Sequence, residues 1–414
     1  MRAIQILGPK PGRVTLNPAH PIPIPTPTPT PTTKDNNNNN NNTTTTNQLL
    51  IRVHAAGVTA DELTWPELYS TPSRIPGHDI SGVIVSASNS GDDDDDNLKT
   101  GTEVYGMLSP SLGAGQADYV LASAQEISRK PASLSHSEAA ALPIPVLTAW
   151  QALFEHARLG MGNASDGGKT KKILVTGASG AVGMMVIQLA RAVLGGGVEI
   201  VALASAEKRE VLVRLGADEI VDYRLPDWEG SVVGGDKSGG GGEVDVVIDT
   251  VGGAVLEKSW KTVKGGAAAD GGGGGGGVII TVADPPPVWA DAKTIPKELE
   301  FKPGMCFSFL FLFLFLPLSL PALLFGDRVR TLAKVGKHVA NDICCDIGVR
   351  YVYFVLKADS DVLAKAADLI DRGEIKALPV VEFPVSRAVE AWEFAAQRNR
   401  KGKVVIDFVS EGEA

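Results

Sequence analysis

The chain has 414 residues, a 44% apolar share and a formal net charge of −9. That length houses two ordinary domains, and that apolar share is enough to fill their cores. No basic stripe runs along it, so a nucleic-acid partner is not expected. Cys306 and the adjacent Cys344 and Cys345 make neither a disulfide framework nor a zinc-site spacing, which suits a reducing, cytoplasmic compartment.

Residues 1–12 carry no apolar run of secretory length, so no signal peptide is expected. Several low-complexity segments follow: Pro-Thr repeats and an Asn run within 21–47, acidic residues within 91–99, and polyglycine at 239–242 and 271–277. None buries enough apolar surface to offset the entropy of ordering, so they read as loop expansions. Long surface loops cost little, because closure entropy grows only logarithmically.

Between these segments two patterns remain. Up to residue 130, short strand-like runs at 49–53, 82–85, 103–106 and 117–121 alternate with Gly and Pro, which predicts a compact β-rich unit. From 131 to 357 strands alternate with helices. Ser135 is placed to cap a helix through Ala139. A strand is predicted at 172–175, and a helix at 181–194 with Val182, Val186, Leu189 and Val193 on one face. A strand at 198–203, a helix at 207–215 closed by Gly216, and a strand at 244–248 follow. This alternation predicts an α/β fold, a doubly wound parallel sheet with helices on both faces. A last strand at 349–356 and a tail of two helices and a strand at 404–408 complete the chain.

Residues 306–325, CFSFLFLFLFLPLSLPALLF, hold six of the twelve phenylalanines and no charge. Length and hydropathy make the stretch a transmembrane candidate. It precedes the expected last strand, however, so a span there would drag part of the sheet into a bilayer, and Pro317 and Pro321 interrupt it. We read 302–340 as a foreign insertion, such as a translated retained intron, and expect no membrane span. A buried core segment and membrane association are the alternatives.

The strand at 172–175 leads into Thr176-Gly177-Ala178-Ser179-Gly180-Ala181-Val182-Gly183 and then a helix. Glycines there let the chain turn sharply and let N–H groups approach a pyrophosphate, while the helix start adds its positive dipole end. Gly177, Ser179, Gly180, Ala181, Val182 and Gly183 are therefore candidate cofactor residues. An NAD site places Asp or Glu at the tip of the next strand, on the ribose 2′-hydroxyl. Here that tip is Ala204-Ser205-Ala206, followed by Lys208 and Arg209. A hydroxyl and a cation suit a 2′-phosphate and favour NADP(H). Glu207 leaves NAD open, and Lys208 and Arg209 also read as solvated helix residues.

These residues, taken with others, carry a resemblance. Gly77-His78-Asp79-Ile80-Ser81-Gly82, Gly101-Thr102-Glu103-Val104, Ala140-Ala141-Leu142-Pro143 through Leu147-Thr148-Ala149-Trp150, Leu215-Gly216-Ala217-Asp218 with Asp222-Tyr223, Asp249-Thr250-Val251-Gly252-Gly253 and Gly402-Lys403-Val404-Val405 occur in order. With the glycine turn they resemble the medium-chain dehydrogenase/reductase superfamily, in its zinc-free quinone oxidoreductase and enoyl reductase branch. The resemblance implies a GroES-like catalytic domain over 1–132, a Rossmann NADP-binding domain over 133–358 and a C-terminal segment, 359–414, that completes the catalytic domain. It implies a nicotinamide near Thr148 and Val251, and Ser205, Lys208 and Tyr223 around the 2′-phosphate. A homodimer is the family expectation.

Zinc-dependent members use a Cys–His–Cys type site and a four-cysteine lobe. Here Thr59 matches the first ligand position, His78 the second, and no ligand falls within 142–147. One His does not hold catalytic zinc, which needs about three protein ligands, so no zinc is expected and His78 reads as a turn residue. Without a Lewis acid the chemistry shifts to substrates that are already electrophilic: a quinone, an enone or another conjugated carbonyl. Tyr69 and Tyr105 are the candidate proton donors, with Trp65 as a wall; Asp61 and Glu62 either relay protons or cap a helix. Two further readings stand beside the reductase: a non-catalytic NADP-binding scaffold or sensor, and a defective product of a mis-spliced gene.

Overall fold

A computed structural model describes residues 1–25, 28–29, 45–46, 48–87, 98–109, 113–160, 170–234, 243–265, 276–283, 298–301, 349–397 and 401–409. The phenylalanine-rich stretch 306–325, the three cysteines, the Asn run, the acidic run 92–96 and the polyglycine at 239–242 lie outside the described residues. The chain divides into two compact units, Met1–Leu147 with Lys357–Ala414, and Thr148–Leu356.

The first unit opens with β1 (Ala3–Leu7) and β2 (Arg13–Asn17), an antiparallel hairpin. A two-residue pair, β3 (Thr28–Pro29) and β4 (Thr45–Thr46), precedes β5 (Gln48–Gly57). Then come α1 (Pro66–Ser70), β6 (Asp79–Ala87), β7 (Glu103–Met107), β8 (Tyr119–Ser123), β9 (Ile127–Arg129), α2 (His136–Ala140) and α3 (Pro143–Trp150). Ser135 caps α2 as expected. Its hydroxyl accepts from the Glu138 N–H while the Glu138 carboxylate reaches back to Ser135, a reciprocal capping box.

The second unit holds β10 (Lys171–Val175), α4 (Ala181–Leu194), β11 (Val198–Leu203), α5 (Arg209–Arg214), β12 (Glu219–Val221), α6 (Trp228–Gly234), β13 (Val246–Asp249), α7 (Gly253–Ser259), β14 (Val278–Thr281), β15 (Glu298–Phe301) and β16 (Arg350–Phe354). Its sheet order is β12-β11-β10-β13-β14-β16-β15. All neighbours are parallel except the edge pair β15 and β16. Taking β10 as the first strand, this is the doubly wound order 3-2-1-4-5-6 with one antiparallel edge. Ile173, Leu174, Val175, Ile200, Val201, Val247, Ile248, Ile279 and Ile280 are all fully buried, the near-continuous apolar runs that a sheet covered on both faces demands. The helix expected at 207–215 is a 3₁₀ turn, Ala206–Lys208, followed by α5.

The tail returns to the first unit with α8 (Ser360–Asp371), β17 (Val380–Pro384), α9 (Ala388–Ala395) and β18 (Lys403–Asp407). The sheet order there is β17-β18-β5-β6-β7-β9, with β8 also on β5. Because β18 pairs with β5, Val405 opposite Gly57, the last strand completes the sheet that the first fifty residues begin. Ile51, Ile80, Ile84, Trp392 and Ile406 share one core, and the Trp392 indole donates to Gln116 Oε1 at 3.0 Å.

His136, at the start of α2, sits among polar groups. The Ser81 hydroxyl donates to Val104 O at 2.9 Å and so accepts from His136 Nδ1 at 2.8 Å. Burial, then the charge of His54, pushes the imidazole down to about 4. The unfolded residue protonates near pH 6.5, the folded one only near 4, so the unfolded state binds more protons in between. Stability therefore falls as pH drops from 6.5 to 4, by roughly 1–2 kcal/mol once solvent screening is allowed for. Urea titrations across that window are expected to lose this part of the slope in His136→Gln; an unchanged slope would assign the effect elsewhere.

Candidate functional site

In a doubly wound sheet, ligands bind beyond the carboxyl ends of the strands, where the strand order reverses. Here that point lies between β10 and β13, and two loops flank it. The first is the glycine turn between β10 and α4. Gly177 has φ +57°, which glycine adopts without a Cβ penalty. A Cβ on Gly183 would lie 2.5 Å from Gly177 O and 2.6 Å from Ala178 Cα, so α4 approaches the turn as closely as glycine permits. Ser179 and Gly180 are exposed, and Gly180 at the N-cap places no side-chain cap over the first helical turn. Ala181 and Val182 are half-buried beside it. The result is a cradle of backbone donors at the positive end of a fourteen-residue helix.

The second loop follows β13. Asp249 is fully buried. Its Oδ1 accepts from Thr176 Oγ1 at 2.6 Å, and its Oδ2 from Thr281 Oγ1 at 2.8 Å and the Gly252 N–H at 3.0 Å. Thr250 closes the link, its N–H donating to Thr176 Oγ1 and its hydroxyl to Thr176 O. One buried carboxylate thus locks the ends of β10, β13 and β14 and holds both loops. Sequence reasoning gave Asp249, Thr176 and Thr281 no role; the signal was an acid ending an apolar strand. Val251 follows, 50% exposed. Thr148, in α3, is buried.

Beyond β11 the expected 2′-phosphate residues are brought to neighbouring strand ends. Leu203 pairs with Val221, and the Ala204 N–H donates to Val221 O. Ser205 is the N-cap of the 3₁₀ turn, and Tyr223 stands 47% exposed after β12. Lys208 makes no ion pair among the described residues, whereas Arg209 is held by Ile220 O at 3.0 Å. The feature sequence reasoning missed is Arg224, which bonds both Glu207 and Asp222.

In the first unit, the hydroxyls of both candidate proton donors are hydrogen-bonded to backbone groups. Tyr105 is fully buried, and its hydroxyl donates to Leu363 O at 2.6 Å. Tyr69 accepts from the Gly12 N–H and donates to Leu63 O, both at 2.7 Å. Each hydroxyl has a single proton, and each proton is already committed to a backbone carbonyl. Trp65 packs against His78 with ring centroids 5.4 Å apart and donates to Asp61 Oδ2.

Glu62 is neither a cap nor exposed. It is buried, its Oε1 accepts from the Gly77 N–H at 2.7 Å, and it faces His78 Nε2 at 3.4 Å. His78 Nδ1 donates to Leu108 O at 2.9 Å, which fixes the proton on that nitrogen because a carbonyl only accepts. Burial holds the Glu62 carboxyl above its ordinary range, with the charge of His78 opposing. Behind this pair, buried Asp79 accepts from the Ile144 N–H at 2.7 Å and pairs with buried Lys403 at 2.9 Å. Lys403 also donates to Thr59 Oγ1. Both nitrogens of His78 are engaged, and no group of three metal-ligating side chains exists among the described residues. These residues do not fit a catalytic zinc.

Comparison with known proteins names the class. A model described as "Alcohol dehydrogenase GroES-like domain" matches residues 45–132, and two described as "Zinc-binding dehydrogenase" match 181–295 and 345–406. The chain belongs to the medium-chain dehydrogenase/reductase superfamily, with a GroES-like domain and a Rossmann-like nucleotide-binding domain. A "Probable zinc-binding oxidoreductase, mitochondrial" of Arthroderma benhamiae is 35% identical over 52% of this chain and 62% of its own length, so this chain spans less than two thirds of that relative. "NAD(P)H oxidoreductase RTN4IP1, mitochondrial" of Mus musculus is 29% identical over 88% of this chain and 82% of its own. The solved quinone oxidoreductase of Coxiella burnetii shares the fold, with TM-score 0.62, 22% identity and 99% of each chain covered. The relatives are oxidoreductases, and a nicotinamide cofactor is in keeping with them. No helix among the described residues is long and apolar enough to cross a membrane.

Proposed function

We propose that this chain is an NADPH-dependent reductase of quinones, enones or other conjugated carbonyls, working without zinc. The observation that carries the reading is the cradle at the switch point, glycine-lined on one side and locked by Asp249 on the other. NADPH, when bound, supplies hydride to the electrophilic carbon. The α4 N-terminus and the N–H groups of the turn hold the pyrophosphate. Ser205, Lys208 and Tyr223 surround the 2′-phosphate, and Thr148 and Val251 border the nicotinamide. With the protons of Tyr69 and Tyr105 committed, solvent water supplies the proton to the product. A homodimer and a cytoplasmic location belong to this proposal, although both relatives above carry "mitochondrial" in their names.

The test is NADPH consumption against a panel of quinones and enones. Turnover on one class supports the reading; tight NADPH binding with no turnover on any acceptor overturns it in favour of a scaffold or sensor. Separately, Lys208→Ala is expected to weaken NADPH binding about tenfold, the loss of one charge-assisted contact, and to leave NADH binding unchanged. Equal affinities for NADPH before and after the change would remove Lys208 from the site.

A further inference from the structure

Two carboxylates and one guanidinium meet beyond the end of β11. Arg224 Nη1 and Nη2 bond Glu207 Oε1 and Oε2 at 3.0 and 3.2 Å. Its Nε and Nη2 bond Asp222 Oδ1 and Oδ2 at 3.0 and 2.8 Å. The two arms differ in how firmly they are held. Asp222 is two residues from Arg224, takes the Arg224 N–H at 2.9 Å and the Ala206 N–H at 3.2 Å, and its side chain is 20% exposed. Glu207 reaches Arg224 across seventeen residues, and its side chain is 67% exposed. Asp222 is therefore the anchor, and Glu207 is the arm that solvent and ligands reach.

We propose that Arg224 is a cofactor-specificity residue, and that the Glu207 carboxylate occupies on its outer edge the place a ribose 2′-phosphate takes when NADPH binds. The inference rests on the NADP reading above and deepens it. A guanidinium fork binds carboxylate and phosphate by the same paired N–H geometry, so one anion replaces the other without moving Arg224 from Asp222. The exchange also answers a charge problem. A phosphate brought to Ser205 meets the negative charges of Glu207 and Asp222, and Lys208 alone does not balance them. Arg224, freed from Glu207, supplies the second cation on the phosphate side. Glu207 acts as a built-in competitor, setting how strongly NADPH is preferred over NADH.

The experiment is calorimetric titration of the full chain with NADPH, NADH, 2′,5′-ADP and 5′-AMP. Arg224→Ala is expected to weaken NADPH and 2′,5′-ADP at least tenfold and to leave NADH and 5′-AMP within twofold. Glu207→Gln is expected to tighten NADPH and 2′,5′-ADP severalfold, and to do so by much less when Arg224 is already alanine. If the unaltered chain prefers NADPH but Arg224→Ala keeps that preference, this proposal fails while the NADP reading stands. If the unaltered chain binds NADH as tightly as NADPH, the NADP reading itself fails and takes the proposal with it. Tm values of the variants within a few degrees of the parent confirm that folding is not what is being measured.

Discussion

Gly183→Ala is expected to abolish NADPH binding, with a loss of affinity of about a hundredfold or more. The added Cβ would meet two backbone atoms, Gly177 O at 2.5 Å and Ala178 Cα at 2.6 Å. Neither is the end of a flexible side chain, so relief requires α4 to withdraw from the turn by roughly 1 Å, a misplacement on the scale that costs about a hundredfold where geometry is critical. Withdrawal carries the N–H groups of the first helical turn away from the pyrophosphate. Overpacking of this kind also costs about 1–3 kcal/mol of stability. Gly196→Ala is the control, because its Cβ would point into open space. Fluorescence titration with NADPH reads the result; affinity retained in Gly183→Ala would show that the cofactor does not sit on this turn.

The second large effect concerns Lys403. Removing its ammonium leaves Asp79, 1% exposed, without a counter-charge. Breaking one side of a buried pair costs about 3–5 kcal/mol, whereas removing both charges is often neutral. Lys403→Met is therefore expected to lower the melting temperature of the unit by roughly 10 °C, and Asp79→Asn in the same chain to restore most of it. Asparagine suits the site because Asp79 is confined: a Cβ on Gly57 would lie 2.8 Å from its Cβ. Thermal denaturation of the two single variants and the double variant forms the cycle. Additive losses would show that Asp79 and Lys403 are stabilised by other partners.

What was legible in the sequence was local. The glycine turn, α4 at Ala181–Leu194 and β11 at Val198–Leu203 stand where periodicity and capping place them, because the information for each lies within a few residues. The buried side chains of the first unit were not legible. Tyr105 reads as a candidate proton donor, but α8 lies over it, and its hydroxyl partner Leu363 lies 258 residues away. Glu62 reads as a proton relay or a cap and His78 as a turn residue; their contact joins the 3₁₀ segment Ala60–Thr64 to the residue just before β6. Arg224 was missed because nothing local ties it to Glu207. The three-residue β9 and β12 give period-two alternation no room to show.

The placement of β18 has a consequence for how the chain is made. Residues 148–356 contain every strand of the nucleotide-binding sheet, so that sheet has all its parts as soon as they leave the ribosome. The edge of β5 that β18 covers is synthesised near residue 57, and its partner near residue 405. At roughly 5–20 residues per second, that edge waits about 20–70 s. During that interval Ala55, Ala56 and Gly57 present unpaired backbone next to an apolar face, the condition under which strands recruit the wrong neighbour. Chaperone capacity and translation speed over the second half of the message are therefore expected to affect yield in cells.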